Sequence, residues 1–549
     1  MPAKELRFDE EARHALKHGA DAVARTVAVT LGPRGRTVLL DKKFGAPLIT
    51  SDGVTIARDL EFADHFENMG ASLLKEAAIK TNDVAGDGTT TATVLARAML
   101  AAGLQNLAAG AQPMALKNGI QKAADAAIAD IKARSTPVTG TQDIERVATI
   151  SSSDPEIGHM IANAFEKVGR EGVVSVEEGS WLQTEVEVVE GLQFDRGYLS
   201  AYMVTDQASM EAVLDDARVL VTDAKISAVA DLMPALETSM RVGRPLVVIA
   251  EDVSGEALAT LVVNRMRGTL SAVAVKAPGF GDRKDDYLED IAVLTGATMI
   301  SAKTGLRLDQ VRDDQLGSAR RVTAAKETTT IVGGGGSTVA IKARCEELRV
   351  RMKETESEWD REKLQERLAR LTGGVAVVKV GGATETEIKE RKSRVEDAIA
   401  ATRAAIEDGI VVGGGVAYVR AIPAVEKLTL DGDEAVGASI VARALSEPLR
   451  VIAANAGLEG MVVVEKVRAL TGNDGFDAVS ETYGDLPSKG VTDPAKVLVS
   501  ALANAASIAG IVLTTEALIA EAPEREDAAS SAGHSHGNAG LGGLDDMDF

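Results

Sequence analysis

The two ends of this 549-residue chain share one sequence texture, and its middle has another. Ala-rich segments with helical periodicity run to about residue 137 and return from about 409 to 522. Between them, Val and Glu alternate at 173–189, and apolar runs at 245–250 and 272–275 enclose a helical pattern at 256–267. This β-α-β alternation, enclosed by helical ends, predicts an α/β domain inserted into an outer helical one.

The sequence predicts a multi-domain fold, because 549 residues exceed what one hydrophobic core holds. The fold class is α and α/β, with discontinuous, nested domains and a tail too poor in apolar residues to form a core. The predicted boundaries are 1–136 with 409–522 for an Ala-rich helical domain, 137–190 with 374–408 for a small mixed hinge domain, 191–373 for the α/β domain, and 523–549 for a disordered tail. Pro137, Gly191, Gly374 and Gly409 lie at the crossings, either as hinges or as ordinary loop residues.

Charge and cysteine content exclude several function classes. A net charge of −22 argues against nucleic-acid binding, since no basic stripe easily offsets that field. The single cysteine, Cys345, forms no internal disulfide and no multi-thiolate metal site, which fits a reducing cytoplasm. The N-terminus shows no apolar core of a signal peptide, so a cytoplasmic location is expected. The uncharged segment 497–515 is long enough to span a bilayer, but its polar and small residues favour a buried helix.

The segment 84–94, Val-Ala-Gly-Asp-Gly-Thr-Thr-Thr-Ala-Thr-Val, carries the clearest chemical signal. Gly86 and Gly88 allow several N–H groups to converge on one anion, and the helix that follows offers its positive end. Asp87 suits this place if a divalent cation separates it from phosphate oxygens. The segment therefore predicts a Mg²⁺-nucleotide site. On spacing alone, a turn whose threonines cap a helix is an equal alternative.

Other segments are ambiguous by themselves. Residues 30–36 contain a Gly-Pro-Arg-Gly turn, Asp52 precedes a glycine, and 411–416 is a second Gly-rich loop. Glu396 and Asp397 form a carboxylate pair in a helical, Ala-rich setting, where spacing alone favours a solvated helix face.

Several long motifs together resemble the group I chaperonin (GroEL) family, collinearly from about residue 2 to 522. They stand at 30–33 (TLGP), 66–71 (FENMGA), 86–95 (GDGTTTATVL), 194–198 (FDRGY), 276–283 (KAPGFGDR), 360–367 (DREKLQER) and 412–417 (VGGGVA). The resemblance implies equatorial, intermediate and apical domains, corresponding to the outer, hinge and α/β pieces. It also implies an ATP-hydrolysing chaperone built as two stacked seven-membered rings of identical subunits. Such a homo-oligomer encloses unfolded polypeptides together with a GroES-type co-chaperonin.

The resemblance also implies roles for individual residues. Asp397 orients the attacking water, Asp52 completes the phosphate end as a second catalytic residue, and Asp87 holds Mg²⁺. The implied nucleotide contacts are Thr30, Leu31, Gly32, Pro33, Asp87, Gly88, Thr89, Thr90, Thr91, Gly414, Asp477, Ala478, Val479 and Asp493. The implied polypeptide-binding residues are Tyr198, Tyr202, Met203, Met233, Leu236, Leu258, Val262 and Val263. Without the resemblance, apolar residues at such helical spacing favour burial in the domain's own core.

Two departures from the family pattern leave alternatives open. Ser51 stands where the best-known members carry Lys near a monovalent-cation site, which counts against the implied K⁺ dependence. The tail carries His534 and His536 and an acidic end in place of a Gly-Gly-Met repeat.

Two alternative functions stay open. The first alternative function is a specialised paralogue acting as a lower oligomer with weak ATPase activity. The second is a conventional ATP-dependent enzyme, such as a small-molecule kinase.

Overall fold

A computed structural model describes most of the chain. Its described residues are 3–42, 47–169, 172–179, 182–207, 209–279, 282–355 and 357–521. The predicted disordered tail at 523–549, with His534 and His536, lies outside the described residues, as do Phe280 and Gly281 of one motif.

Helices account for much of the described chain. They are α1 (Asp9–Ala28), α2 (Gly53–Asp59), α3 (His65–Ala85), α4 (Thr89–Ala108), α5 (Pro113–Arg134), α6 (Thr141–Ser152), α7 (Pro155–Val168), α8 (Met233–Val242), α9 (Gly255–Met266), α10 (Asp282–Thr295), α11 (Thr338–Glu354), α12 (Glu358–Gly373), α13 (Glu385–Asp408), α14 (Val416–Glu426), α15 (Gly432–Ala444), α16 (Glu447–Asn455), α17 (Gly460–Ala469) and α18 (Ala495–Leu513).

The strands are shorter. They are β1 (Lys4–Phe8), β2 (Val38–Leu40), β3 (Leu48–Thr50), β4 (Val173–Glu178), β5 (Glu185–Val189), β6 (Gly191–Phe194), β7 (Ala212–Val221), β8 (Lys225–Ile226), β9 (Leu246–Ala250), β10 (Asp252–Val253), β11 (Ala272–Lys276), β12 (Gly317–Ala324), β13 (Thr329–Gly334), β14 (Val375–Val380), β15 (Ile410–Val412), β16 (Asp474–Asp477), β17 (Thr482–Asp485), β18 (Thr492–Pro494) and β19 (Ala517–Glu521). Together with the helices they confirm the predicted class, a multi-domain combination of helical and α/β parts.

The largest hydrophobic core draws on both ends of the chain, from Ala12 to Ile131 and from Ala404 to Ala520. In it α18 packs against α3, α4 and α5, and α1 packs against α3. A Cβ atom on Gly19 would lie 1.8 Å from the carbonyl oxygen of Glu67, so α1 and α3 approach backbone to backbone. Small residues make this closeness possible, which explains why Ala dominates the two ends.

Helix α18 is the described helix that is long and apolar enough to cross a membrane. In the structure, 61% of its most apolar window is buried, and its neighbours are the helices of the large core. The position of α18 agrees with the expected buried helix.

The middle of the chain forms a six-stranded sheet in the order β11-β9-β7-β12-β13-β6. The strands β7, β9 and β11 run parallel, and α9 lies between β9 and β11 in sequence, as the β-α-β pattern predicts. A separate core fills this region, from Leu192 to Leu371.

A third, smaller core lies around the sheet β4-β14-β5 and the helices α6, α7 and α13. Helix α13 serves two cores at once, because Val395 and Ala398 belong to the small core whereas Ala404 belongs to the large one. The exact domain boundaries stay a prediction. The position of α13 matters most for the site, since it carries Asp397.

Candidate functional site

The site is built around the turn between α3 and α4. Helix α3 ends at Gly86 with φ 68°, and α4 begins after Gly88 with φ 83°, both in the left-handed region that glycine adopts readily. Among the described residues, no side chain caps the N-terminus of α4, so its first N–H groups can bind an anion. Between the two glycines, Asp87 accepts a hydrogen bond of 2.5 Å from the Gly88 N–H.

Asp52 is held beside this turn by the start of α2. Its two carboxylate oxygens accept hydrogen bonds from Val54 N (3.1 Å) and Thr55 N (2.9 Å), so it caps the helix. A Cβ atom on Gly53 would lie 2.5 Å from Thr90 Oγ1, which shows how closely the N-termini of α2 and α4 approach. Ser51 precedes this cap and is half-buried.

The loop after α1 forms a further wall. Thr30 Oγ1 lies 3.3 Å from Thr90 Oγ1, which joins this loop to the start of α4. Asn455 Nδ2 donates to the carbonyl oxygens of Ala28 and Leu31, both at 2.9 Å, and so fixes the loop's course. Gly32 follows with φ 86°, and Pro33 is exposed.

Asp397 reaches the site from the opposite side, on α13. A Cβ atom on Gly86 would lie 2.3 Å from Ala400 Cβ, so α13 rests on the turn. Because residues three apart share a helix face, Asp397 lies on the same side of α13 as Ala400. Desolvation, followed by repulsion from Asp52, Asp87 and Glu396, raises the pKa of Asp397 well above its ordinary value.

Ser151 is a site residue that the sequence analysis missed. From the end of α6 its hydroxyl donates a 3.2 Å hydrogen bond to Asp87 Oδ2, while Arg394 of α13 donates to the carbonyl oxygen of Ser152. Desolvation raises the pKa of Asp87, and the hydrogen bonds from Gly88 N and the Ser151 hydroxyl only partly offset it. A serine in an amphipathic helix carries no sequence signal for this contact.

The second Gly-rich loop, residues 411–416, contributes a further part of the site through its contact with Asp493. A Cβ atom on Gly413 would lie 3.0 Å from Asp493 Oδ1, and the N–H of Gly414 donates a hydrogen bond to Asp493. Desolvation and the charge of Asp87 raise the pKa of Asp493 to about 7. Asp493 is therefore near enough to Asp87 for the two charges to interact, whereas its implied contact with the adenine and ribose stays a prediction.

The hairpin of β16 and β17 stands at the outer end of the site. Asp477 accepts a 2.9 Å hydrogen bond from Val479 N, with Ala478 buried and Val479 exposed. The carbonyl oxygen of Phe476 lies 3.8 Å from the position of a Cβ on Gly414, which places the hairpin next to the Gly-rich loop. These contacts connect the 30–35 loop, the turn between α3 and α4, the second Gly-rich loop and the hairpin, and we call the space that they border the cleft.

The donor set fits a magnesium ion bound together with phosphates. Mg²⁺ takes one or two carboxylates and fills its other positions with phosphate oxygens and water. Asp87 supplies one carboxylate next to the free N–H groups of α4, and Thr89, Thr90 and Thr91 add hydroxyl groups. Among the described residues, no group of three or more His, Cys, Asp or Glu side chains could hold a metal without such a partner.

The predicted polypeptide-binding residues divide into three classes. Tyr202, Met233 and Val263 are exposed, whereas Tyr198, Leu258 and Val262 are half-buried. Met203 and Leu236 belong to the core below. Met203 is fully buried and its sulfur accepts a hydrogen bond from Ala274 N, and Leu236 is only 6% exposed, so both present little or no surface in this conformation. Their role in polypeptide binding stays a prediction.

Three further side chains extend the exposed set. Met240, Val242 and Met266 lie on α8 and α9, the helices that carry Met233 and Val263. We call the exposed set the apolar surface; its members are 41–69% exposed and comprise Tyr202, Met233, Met240, Val242, Val263 and Met266. Where exposed apolar side chains form a contiguous patch, they mark binding sites for other chains.

The chain matches the model of a known protein family. Residues 23–523 of the chain match the family model described as the TCP-1/cpn60 chaperonin family. The matched segment contains nearly every residue of the cleft and all of the apolar surface.

Proposed function

Because the chain belongs to the TCP-1/cpn60 chaperonin family, we propose that it is a group I chaperonin subunit that hydrolyses MgATP to drive the folding of captured polypeptides. Membership of the family carries the general role of a chaperone that forms rings and binds unfolded chains. The group, the ATPase activity, the seven-membered double ring, the GroES-type partner and the cytoplasmic location belong to the proposal.

One observation supports the ATPase most directly. Asp397, on a helix shared by two hydrophobic cores, lies with Asp52 and Asp87 around the free N-terminus of α4. Desolvation and mutual repulsion raise the pKa values of Asp87 and Asp397, an arrangement that a bound cation would relieve. Structural carboxylates rarely cluster in this way without a counter-charge, so the group is best explained as a site for a cationic ligand.

Each residue has a defined task in the proposed reaction. The N–H groups at the start of α4 bind phosphate oxygens, and Asp397 accepts a hydrogen bond from the attacking water and so orients it. Asp52 is fixed by α2 and holds the water network at the phosphate end. Bound Mg²⁺, held by Asp87, supplies charge neutralisation, which phosphoryl transfer needs more than covalent chemistry.

The position of Asp397 couples hydrolysis to the conformation of the subunit, that is, to whether α13 and α6 lie against the turn between α3 and α4. The contacts of Ala400 with Gly86 and of Ser151 with Asp87 place α13 and α6 against the turn. Movement of these helices away from the turn removes the carboxylate from the phosphates. Hydrolysis is then confined to the closed arrangement.

The apolar surface supports the capture of unfolded polypeptides. Its methionines are flexible and polarizable, so they adapt to many sequences. Its exposed, helix-borne side chains suit segments of an unfolded chain and the apolar loop of a lid protein.

The test combines particle shape with activity. Negative-stain micrographs of the purified protein should show seven-fold double rings, and the protein should refold a denatured client only with MgATP and a GroES-type partner. Single subunits without ATP turnover would contradict the proposal, and lower oligomers with weak ATP turnover would contradict it and favour the paralogue alternative.

A further inference from the structure

Arg34 joins two walls of the nucleotide cleft that lie far apart in the sequence. Its guanidinium donates a 3.1 Å hydrogen bond to the carbonyl oxygen of Val479 and forms a 2.8 Å ion pair with Glu481. One wall is the 30–35 loop, which touches Thr90 at the phosphate end. The other is the hairpin of β16 and β17, which borders Gly414. The contact therefore crosses the rim of the cleft.

Both partners are held in place before they meet. Within the loop, Gly35 N donates to the carbonyl oxygen of Gly32 and Arg36 N to that of Val29, at 2.9 and 2.8 Å. Asn455 adds its two hydrogen bonds from α16. A rigid base gives the long Arg34 side chain a fixed origin, so less side-chain entropy is lost when the pair forms.

The hairpin of β16 and β17, which carries Glu481, is also held in a defined conformation, as the 30–35 loop is. Glu481 has φ 55°, a left-handed conformation that is costly for a residue other than glycine and persists only where its neighbours enforce it. The neighbours are identifiable, since Asp477 accepts hydrogen bonds from Val479 N and the Ser480 hydroxyl, and Lys489 donates to Thr482 Oγ1. The turn thus presents the Glu481 carboxylate to Arg34.

From these contacts we propose that Arg34 and Glu481 form a latch over the rim of the cleft, and that this latch slows the release of bound nucleotide. The proposal rests on the proposed nucleotide site. Arg34 acts as a positioning residue, because it holds the Asp477–Val479 turn over the cleft rather than reacting with the ligand. Opening of the latch is then a step on the way to ADP release.

The latch predicts a modest effect of its removal on the rate of ADP release. Both side chains are more than two-fifths exposed, so the pair is weak and screened by salt. Arg34→Met and Glu481→Gln should each speed ADP release about two- to five-fold, the range expected for an exposed ion pair. The double variant should be no faster than Arg34→Met, since Arg34→Met already removes the ion pair that Glu481→Gln breaks.

The experiment measures release of radiolabelled MgADP from the filled, assembled protein after a chase with unlabelled MgATP. Arg36→Met is the matched control, because Arg36 is exposed in the same loop and its side chain has no ion pair among the described residues. It should release ADP at the unaltered rate. Arg34→Lys should restore slow release, and added salt should speed release from the unaltered protein but not from Arg34→Met.

Several results would overturn the latch. Equal release rates for Arg34→Met and the unaltered protein would do so, as would additive effects in the double variant. A lower melting temperature for Arg34→Met than for Arg36→Met, with unchanged ADP release, would assign Arg34 a structural role instead. Failure of the unaltered protein to bind MgADP would remove the proposed function and the latch together, whereas the other results leave the proposed function intact.

Discussion

In the cleft around the turn between α3 and α4, side chains and backbone meet at fixed distances, whereas the apolar surface on α8 and α9 presents its side chains to solvent. Asp52 accepts two backbone hydrogen bonds, and Gly86 has no room for even a methyl group beside Ala400. Met233 and Val263, by contrast, are about two-fifths exposed on their helices. One chain thus combines a tightly packed region around the turn with exposed apolar side chains, and the proposed function assigns a single ligand to the first and many polypeptides to the second.

The sharpest test of this comparison is Asp397→Asn, which removes the charge and keeps the shape. We expect ATP turnover to fall by about 10²–10⁴-fold, the range for loss of a general base. Capture of an unfolded protein should not change, because the helices that carry the apolar surface pack on a different hydrophobic core from the one beneath the cleft. A steady-state ATPase assay checks the turnover, and an aggregation-suppression assay checks the capture. Equal losses in the two assays would contradict the conclusion that the cleft and the apolar surface act independently.

The pH dependence of turnover should follow the same carboxylate. Because desolvation and neighbouring charges raise the pKa of Asp397, the carboxyl group is neutral at low pH and ionises only as pH rises through this raised value. Turnover should therefore increase about tenfold per pH unit on the acid side. Added Mg²⁺ should move this limb to lower pH, since a nearby cation favours the ionised form. If the pH dependence of turnover did not change with Mg²⁺ concentration, this would argue against a metal ion beside Asp397.

The apolar surface gives the complementary prediction. Val263→Ser removes exposed apolar area, so the affinity for an unfolded polypeptide should fall about tenfold, as expected for loss of roughly 1–2 kcal/mol of apolar burial. ATP turnover without a client should stay unchanged. Val350→Ser is the matched control, because Val350 is also a helical valine and is 50% exposed. An equal loss of affinity in the control would show that the binding surface lies elsewhere or is not specific.

The smallest effect is expected from Gly86→Ala. The added methyl group would lie 2.3 Å from Ala400 Cβ and so push α13 away from the turn. Turnover should fall about fivefold, since small displacements of a catalytic group reduce its effectiveness. Gly110→Ala controls for backbone strain, because Gly110 also has a positive φ, 94°, but has nothing within 4 Å of an added Cβ. Similar losses in both variants would indicate strain rather than displacement of α13.

The sequence predicted the fold class and the glycine-flanked turn before α4 because both are encoded locally. Glycines on either side of Asp87 specify the turn, and the alternation around 245–275 specifies parallel strands joined by a helix. The same local rules left Glu396 and Asp397 as a solvated helix face. Only tertiary packing of α13 brings Asp397 to Asp87, so resemblance was needed to connect them.

For the apolar residues of α8 and of the 201–203 segment, the sequence did not predict which side chains are buried and which are exposed. Leu236 and Met233 share α8, and Met203 and Tyr202 are adjacent in sequence, yet one member of each pair is buried and the other exposed. Periodicity gives the spacing of a stripe but not which side faces the core. Ser151 and Arg34 were missed for a related reason, since each acts through a partner distant in sequence.

The most direct test of the central claim identifies the nucleotide held by Asp397→Asn after incubation with radiolabelled MgATP and rapid gel filtration. If Asp397 orients the attacking water while Asp87 and α4 hold the ligand, the recovered protein carries intact ATP, whereas the unaltered protein carries ADP. Recovery of ADP from the variant would show that hydrolysis does not need Asp397. Recovery of no nucleotide would make Asp397 a binding residue, which also contradicts the account.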